Sequence, residues 1–363
     1  MIKAALTFFP YLVWLLELPC FVRRTSSRAG LRLAWAAVTL AFASKFVIFH
    51  VLGGDAFAPE LPEKLIWLLG FAYSGFMVLL PLSLLACALR WRGWKLAPVV
   101  AAAWTISAVG TYNGIRPPEV REVTLAFDGL PDGLDGYRIV QVSDLHVSSA
   151  ARRWRTERVV ATVNALNADL ICLTGDYVDG SCAAQADNVE PIRQLRARDG
   201  VFAVTGNHEY YHGRSEWKQQ YEAWGLRFLD NECVFPRPGL ALGGVSDLAA
   251  VRCDEKLPDA DAAFRSATNG EFRVLMEHRP AYAITHDDRI GLQLSGHTHG
   301  GVMPLMNMLV AAFNGGFVRG LYVLKPARRM LYVSPGSGQW AGFPVRLFNP
   351  TEIAVITLRR IRS

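Results

Sequence analysis

Long apolar runs fill the first third of the chain, whereas the rest alternates between short apolar runs and polar stretches. An α-helix needs about 20 mostly apolar residues to cross a bilayer. Four runs approach that length, at residues 4–22, 31–53, 65–89 and 96–112. The second and third are the strongest, because the first contains Glu17 and two prolines and the fourth is the shortest. The pattern predicts an all-α transmembrane region with about four helices over residues 1–112, followed by a soluble domain over residues 113–363.

The charges between these runs predict an orientation, because Lys and Arg are retained on the cytoplasmic side of a membrane. The first and third connections carry the basic residues Arg23, Arg24, Arg28, Arg32, Arg90, Arg92 and Lys95. If the fourth run crosses, the soluble domain lies outside the cytoplasm, and if it does not cross, the orientation reverses. We predict a multi-pass protein of the bacterial inner (cytoplasmic) membrane with a periplasmic or extracellular domain.

Beyond the linker, short β-rich runs alternate with helix-compatible stretches, as in an α/β sheet. Three candidate strands end directly at polar motifs, and they are Arg138–Ser143, Asp169–Thr174 and Val201–Thr205. Between them, residues 154–166 and 189–196 have helical spacing. Ligands of open α/β sheets gather at the carboxyl ends of the strands. Later strands are predicted at Phe272–Met276, Gly291–Ser295, Met330–Ser334 and Glu352–Leu358, the last two in a second sheet.

Five motifs beyond residue 113 carry side chains of types that bind metals. They are Asp144-Leu145-His146, Gly175-Asp176, Gly206-Asn207-His208-Glu209, His278 and Gly296-His297-Thr298-His299. Carboxylate, imidazole and amide donors suit Mn²⁺, Fe²⁺ or Zn²⁺, and two such ions commonly lie about 3.5–4 Å apart. A single Asp-x-His or Gly-Asp is commonly only a turn. Five motifs in order, three of them at strand ends, instead indicate one two-metal hydrolytic site.

The charge balance argues against a nucleic-acid partner. The chain has a formal net charge of +6, but the first 112 residues hold ten Lys or Arg against four Asp or Glu, and the remainder holds 28 of each. The second half also lacks a basic tract with interleaved aromatic residues, which is typical of nucleic-acid surfaces. We therefore expect no nucleic acid.

The strings VQVSDLHVS, LTGDYVDG, VTGNHEYY, EHRP and LSGHTHGG resemble the calcineurin-like metallophosphoesterase superfamily, in its bacterial membrane-associated branch. The resemblance covers about residues 120–360. It implies an α/β fold, a four-layer αββα sandwich, with two divalent metal ions at the strand ends. By position, Asp144, His146 and His299 would hold one ion, Asn207, His278 and His297 the other, and Asp176 would bridge them.

The resemblance also implies a catalytic role for His208. In the family this histidine contacts the scissile phosphate or protonates the leaving oxygen, and an imidazole suits either task. Glu209 would orient His208 through its other ring nitrogen, as neighbouring carboxylates commonly do.

Substrate contacts are less constrained by the motifs. The branch usually continues GHTHGG with glutamine, whereas this chain has Val302 and then a Met- and Leu-rich stretch. Met303 and Met306 in that stretch are candidates for a membrane-facing lip that admits a lipid chain, with core packing as the alternative. Arg319 and Arg346 are candidate phosphate contacts, because a guanidinium binds phosphate oxygens in pairs.

These features predict hydrolysis of a phosphoester or pyrophosphate by in-line attack of a hydroxide that the two ions activate. Membrane tethering favours a lipid-linked phosphate substrate, with the lipid bilayer as the partner. One alternative is the pyrophosphate of UDP-2,3-diacylglucosamine, which some branch members cleave and which requires a cytoplasmic site. Another is a membrane receptor or transport module with a sensory phosphatase-like domain, for which Glu17 and Lys45 are the candidate intramembrane charges.

Overall fold

The computed structural model describes residues 2–285, 288–325 and 329–361. The chain forms two compact units. A helical unit comprises Met1–Arg116 and Ala341–Leu347, and an α/β unit comprises Pro117–Trp340 and Phe348–Ser363. The division after Arg116 falls four residues beyond the predicted end of the membrane region, and the segment Ala341–Leu347 is an addition that the sequence pattern did not indicate.

Six α-helices build the helical unit. They are α1 (Ile2–Glu17), α2 (Arg23–Thr25), α3 (Ala29–Ala43), α4 (Lys45–Gly53), α5 (Glu63–Ala88) and α6 (Ala97–Ile115). A π-helical stretch, Leu18–Val22, joins α1 to α2. Apolar side chains from this stretch, from α5 and from α6 pack together, among them Phe21, Leu79 and Ala103.

Within the described ranges, one helix is long and apolar enough to cross a membrane by itself, and it is α5. The helices α3 and α4, bent by 59° at their junction, together meet the same criterion as one broken span. These two elements coincide with the second and third predicted spans. The other two predicted spans are not confirmed, because α1 ends after 16 residues and the 19 residues of α6 include Gly, Ser, Thr and Asn.

The segment Ala341–Leu347 belongs to the helical unit through specific contacts. The ammonium of Lys45 donates hydrogen bonds to the carbonyl oxygens of Gly342 at 2.7 Å and Ala341 at 3.4 Å. Farther along, the main-chain nitrogen of Arg346 donates to Gly110 at 2.9 Å. Lys45 is 1% exposed and therefore has little contact with water. The two carbonyl oxygens accept the hydrogen bonds that water would otherwise accept from its ammonium.

In the described part of the α/β unit, twelve strands form two mixed sheets. The first contains β1 (Glu119–Phe127), β2 (Arg138–Val142), β3 (Leu170–Leu173), β4 (Val201–Ala203), β5 (Arg227–Phe228) and β12 (Glu352–Arg360) in the order β1-β12-β2-β3-β4-β5. The second contains β6 (Glu232–Arg237), β7 (Leu240–Gly244), β8 (Phe272–Met276), β9 (Ile290–Ser295), β10 (Gly320–Leu324) and β11 (Arg329–Val333) in the order β10-β11-β9-β8-β7-β6. Parallel pairing runs from β2 to β5 and from β7 through β8 and β9 to β11.

The two sheets pack face to face. Ile139 and Leu170 of the first sheet share one buried cluster with Val274 and Leu294 of the second. The other faces are covered by helices, which are α7 (Arg153–Ala165), α8 (Cys182–Val189) and α10 (Arg214–Ala223) on the first sheet and the short α11 (Ala260–Ala263) on the second. Two further helices, α9 (Asn207–Tyr211) and α12 (Pro304–Phe313), follow metal-binding motifs.

The strands that precede the motifs agree with the sequence pattern within a few residues. The expectation that the last two strands share the second sheet is half wrong. β11 lies there, but β12 pairs with β1 and β2 in the first sheet, where its alternate side chains pack into the apolar clusters on both faces. The helix expected over residues 189–196 is also displaced, since α8 ends at Val189 and a 3₁₀ turn containing Pro191 follows.

Candidate metal centre

Both sheets contribute candidate metal-binding side chains from the carboxyl ends of their strands. Asp144 and His146 follow β2, Asp176 follows β3 and Asn207 follows β4, all in the first sheet. The remaining three, His278, His297 and His299, follow β8 and β9 in the second sheet. Since parallel strands deliver their ends to one edge, the stacked sheets bring seven sequence-distant side chains together.

One group of donors joins Asp144, His146 and His299, whose ligand atoms all lie within 4.8 Å of one another. The Nε2 atoms of His146 and His299 are 3.0 Å apart, and Nε2 of His299 is 3.7 Å from Oδ1 of Asp144. Nitrogen ligands bind zinc at about 2.0–2.1 Å, so donors about 3–4 Å apart can share one ion. These are the three residues that the resemblance assigned to the first ion.

A second group joins Asp176, His278 and His297 within the same limit. Nε2 of His278 lies 3.2 Å from Oδ2 of Asp176. The same Oδ2 lies 3.8 Å from Nε2 of His146, so Asp176 stands between the two groups. This position is the one expected of a bridging carboxylate.

The backbone at these ligands is unusual. Five of the seven have positive φ angles, namely Asp144 (50°), His146 (46°), Asp176 (56°), His297 (70°) and His299 (48°). Non-glycine residues rarely adopt this left-handed conformation, and where they do so they cluster at functional sites. Gly175, which precedes Asp176, has no room for a side chain, because a Cβ there would lie 2.6 Å from the main-chain nitrogen of Gly206.

The buried polar atoms of the site fit a divalent cation. Oδ1 of Asn207 and Nε2 of His278 are buried and lack a well-directed hydrogen bond within the protein. Nδ1 of His278 lies 2.7 Å from the carbonyl oxygen of Thr174, which can only accept, so Nδ1 carries the proton and leaves Nε2 to bind a metal. Unpartnered buried donors and acceptors are costly, and coordination would satisfy both atoms.

Electrostatic coupling inside the site is strong. Burial would raise the pKa of Asp176, but the imidazoles of His278 and His208 outweigh burial and hold that pKa well below its usual range. Burial opposes the charging of both imidazoles as well, yet Asp176 raises the pKa of His278 to about 10 and that of His208 to about 9. For Asp144 burial prevails and the pKa is raised. Without bound cations, protonated imidazoles therefore balance the carboxylates.

Asp179 is a site residue that the sequence analysis missed. Its Oδ1 lies 2.6 Å from Nδ1 of His208 and 3.1 Å from Nδ1 of His146. The carboxylate is fully buried, and the two imidazoles keep its pKa below the usual range against the opposing effect of burial. One carboxylate thus orients a metal ligand and the candidate catalytic histidine. Its position three residues after Asp176 in GDYVDG was the available signal.

The predicted role of Glu209 is wrong. Its carboxylate accepts hydrogen bonds from the main-chain nitrogens of Gly206 at 2.7 Å, Tyr177 at 2.7 Å and Asp176 at 3.0 Å. It therefore ties the Asp176 turn to the start of α9, and Asp179 takes the place beside His208. The first helical turn favours a carboxylate that accepts main-chain N–H groups, which explains the preference for Glu209 at this position.

Arg279 is a second residue that the sequence analysis did not single out. Its Nη1 lies 3.3 Å from Nε2 of His297, and its guanidinium is clamped by the buried carboxylate of Asp247 at 2.8 and 3.2 Å. Burial first and then the Arg279 charge lower the pKa of His297. The Arg279 side chain is 26% exposed, so a cation stands at the second donor group within reach of solvent.

The four predicted substrate residues belong to different elements of the structure. Arg319 is exposed, and its Nη1 donates to Oδ1 of Asn349 at 2.7 Å, while Nδ2 of Asn349 donates to the carbonyl oxygen of His299. Arg346 is fully buried and belongs to the helical unit, so the structure does not group it with the metal-binding side chains. Met303 directly precedes α12 and Met306 lies in its first turn, and both are half-buried. Their roles in substrate binding stay predictions.

A family model described as calcineurin-like phosphoesterase matches residues 137–301. The metallophosphoesterase YkuE of Bacillus subtilis is 30% identical over 273 residues, which cover 71% of this chain and 93% of that protein. The chain belongs to the calcineurin-like metallophosphoesterases. This family hydrolyses phosphoesters, and the donor groups at the strand ends agree with the divalent metals that it uses.

Two further relatives match this metallophosphoesterase over a similar length. A metallophosphoesterase from Helicobacter pylori is 33% identical, with 69% of this chain and 66% of the relative covered. A protein from Danio rerio named transmembrane protein with metallophosphoesterase domain is 32% identical, with 74% of this chain and 63% of the relative covered. The chain therefore spans just under two thirds of the length of these two relatives.

Replacing Asp179 with Asn preserves its shape and removes the charge that orients His146 and His208. We expect divalent-ion affinity to fall about 10- to 100-fold, the usual effect of losing a carboxylate behind a metal-binding histidine. Titration of the purified protein with Mn²⁺ measures this change. Asp128→Asn, at an exposed carboxylate in the same unit, is the control. Unchanged Mn²⁺ affinity in the Asp179 variant would show that this carboxylate does not position the ligands.

Proposed function

We propose that this protein is a membrane-anchored two-metal phosphohydrolase that cleaves a phosphoester or pyrophosphate bond of a lipid-linked substrate. The observation that carries the hydrolytic part is the position of Asp176, 3.2 Å from His278 and 3.8 Å from His146, between two donor groups. Bound divalent ions at such a site lower the pKa of water and offset the negative charge that develops on a phosphoryl group.

His208 is the acid that we assign to the leaving oxygen. Its ring is 13% exposed, and Nε2 lies 3.9 Å from Oδ2 of Asp176. Nδ1 is engaged by Asp179, so Nε2 is the nitrogen that faces the site and can pass a proton to a departing alkoxide or phosphate. The Trp340 ring packs edge-on against the His208 ring at 5.8 Å and restricts its rotation.

The metal-dependent reaction is tested by Asp176→Asn, which removes the charge shared by both donor groups. We expect loss of hydrolysis of a soluble phosphodiester and of a lipid-linked phosphate, together with reduced Mn²⁺ content by elemental analysis. Asp128→Asn should match the wild type in both measurements. If Asp176→Asn retained hydrolysis or cellular activity, catalysis at this centre would not be the function, and a receptor or transport role for the helical unit would gain support.

We infer that Arg279 binds a phosphoryl oxygen of the substrate. A guanidinium clamped on one side by Asp247 keeps its remaining N–H donors aligned, and a phosphate accepts such donors in pairs. Lysine retains the charge but loses that fork. This arrangement replaces Arg346, which lies in the helical unit, as the first cation to test.

Arg279→Lys should therefore raise KM for a soluble phosphodiester about tenfold, which corresponds to the loss of one hydrogen bond to a charged group. The metal content of this variant should equal that of the wild type, because Arg279 lies beside His297 but is not itself a candidate metal ligand. Arg265→Lys, at an exposed arginine of the same unit, is the matched control. A fall in metal content with an unchanged KM would assign Arg279 a purely structural role.

Three observations support the membrane and lipid parts of the proposal. The helix α5 is long and apolar enough to span a bilayer. Relatives from Danio rerio and Bos taurus are named transmembrane proteins with a metallophosphoesterase domain. The α12 helix that follows His299 is rich in Met and Leu, as expected of a lip for a lipid chain. Manganese, iron and zinc all suit the donor set.

Placement of the α/β unit outside the cytoplasm depends on α6. Its 19 residues extend about 28 Å at 1.5 Å per residue, close to the ~30 Å hydrocarbon core. The basic connection before it, Arg90 to Lys95, favours the cytoplasm, so a crossing by α6 carries the following chain outside. Without that crossing the site faces the cytoplasm, where UDP-2,3-diacylglucosamine is the alternative substrate.

Fusion of alkaline phosphatase, which is active only outside the cytoplasm, to the carboxyl end of the chain tests this placement. We expect an active fusion after the last residue. A second fusion at Trp94, in the basic connection, should be inactive and serves as the control. An inactive fusion at the carboxyl end would show that α6 does not cross the membrane. It would favour UDP-2,3-diacylglucosamine as the substrate.

A further inference from the structure

Acidic residues are absent from a long part of the α/β sequence. Between Asp288 and Glu352 there is no Asp or Glu, although six Lys or Arg occur in the same stretch. Residues 113–363 hold 28 acidic and 28 basic residues, so this stretch concentrates positive charge along the sequence, and among its described residues Arg289, Arg319 and Lys325 are the exposed cations. It also contains α12 and β10, whose outward surfaces are apolar.

The α12 helix presents its apolar side chains outward. Met308 is 78% exposed, Leu309 is 54% exposed and Phe313 is 78% exposed. Positions 309 and 313 are one helical turn apart and so share one side of the helix, and Met308 is exposed next to that side. A surface helix normally turns polar residues to solvent, and exposed apolar groups of this size mark interaction sites.

The following strand repeats the pattern. β10 is an edge strand, and its alternate residues Leu321 and Val323 are 44% and 53% exposed. Arg319 precedes the strand and Lys325 follows it, both exposed. A flat apolar edge strand invites association unless something covers it.

The main chain of an exposed aromatic residue, Phe348, contacts Arg319. The carbonyl oxygen of Phe348 accepts a hydrogen bond from Nη1 of Arg319 at 3.0 Å, and its ring is 81% exposed. The φ angle of Phe348 is 58°, which is a strained conformation for a bulky residue. The fold thus maintains an outward ring at a conformational cost, next to an exposed cation.

We propose that Met308, Leu309, Phe313, Leu321, Val323 and Phe348 form a bilayer-docking surface that inserts at the interface of an anionic membrane, with Arg319 and Lys325 contacting phosphate headgroups. The inference rests on the proposed membrane anchoring, which keeps a bilayer within reach of the α/β unit. It extends that proposal, because the anchor alone does not require the hydrolytic unit itself to touch lipid.

Charge and side-chain chemistry favour a bilayer over a protein partner. Each Lys or Arg near an anionic surface gains about five-fold in affinity, and Arg319 and Lys325 place an exposed cation at each end of β10. Met, Leu, Val and Phe side chains enter the acyl boundary without needing hydrogen-bond partners. The outward side of α12 offers few groups for directional contacts, with Asn307 as its exposed polar residue.

Hydrogen exchange on the full-length protein in nanodiscs tests the surface without requiring catalytic activity. We expect peptides covering residues 303–325 to exchange about five-fold more slowly in discs containing phosphatidylglycerol than in discs of phosphatidylcholine alone. High salt should remove the difference, because it screens the headgroup charge. Equal exchange in both lipids, with no dependence on salt, would overturn the proposal.

A triple variant, Met308→Ser, Leu309→Ser and Phe313→Ser, should lose the protection. The matched control is Phe235→Ser, Val251→Ser and Leu257→Ser, which changes exposed apolar residues elsewhere in the same unit and should keep it. Both variants should hydrolyse a soluble phosphodiester like the wild type, which shows that they fold. Protection that instead rises with protein concentration in detergent would identify a second copy as the occupant and overturn bilayer docking. Absent wild-type hydrolysis would refute the proposed function separately.

Discussion

The attraction between Asp176 and the imidazoles around it is the interaction on which the α/β unit depends. Three buried carboxylates, Asp144, Asp176 and Asp179, converge at the strand ends, and without opposite charges nearby their desolvation would oppose folding. His278 and His208 supply that charge, as their raised pKa values show. Main-chain N–H groups complete the balance, since His208 donates to Asp176 and His297 donates to Asp144. The fold brings the imidazoles and these main-chain N–H groups to the same strand ends as the carboxylates. The groups that stabilise the buried charges are therefore also the groups that form the candidate site.

Local pattern was sufficient to locate the strands that precede the candidate ligands, but it could not predict how distant strands pair. A buried β-branched run ending in a polar motif is visible along the chain, so the strands before Asp144, Asp176 and Asn207 could be predicted. The sheet that receives β12 depends on contacts more than 200 residues apart, which no local pattern encodes. The role of Glu209 failed for a related reason. Because Glu209 is next to His208 in the sequence, a contact between them was expected. In the structure His208 instead contacts Asp179, 29 residues earlier.

The helical region shows the same limit. Apolar length identified α5 and the α3–α4 pair, but composition alone did not reveal that a segment near residue 340 packs among these helices. Its inclusion explains two sequence features that otherwise lacked a reason. Lys45, an ammonium inside an apolar run, is held by main-chain carbonyls of that segment, and Arg346, which resembled a phosphate ligand, is part of the same packing. A buried charge can therefore reflect packing as well as transport or catalysis.

The division of ligands between the sheets has a mechanical consequence. Each donor group draws on both sheets, Asp144 and His146 with His299 in one and Asp176 with His278 and His297 in the other, so a cation bound at either group would link the two layers of the sandwich. Binding energy that exists only in the assembled fold adds to the resistance of that fold to unfolding. Scarcity of metal would then loosen the seam between the layers as well as stop turnover. The supply of ions would thereby affect how long the folded molecule lasts, in addition to how fast it works.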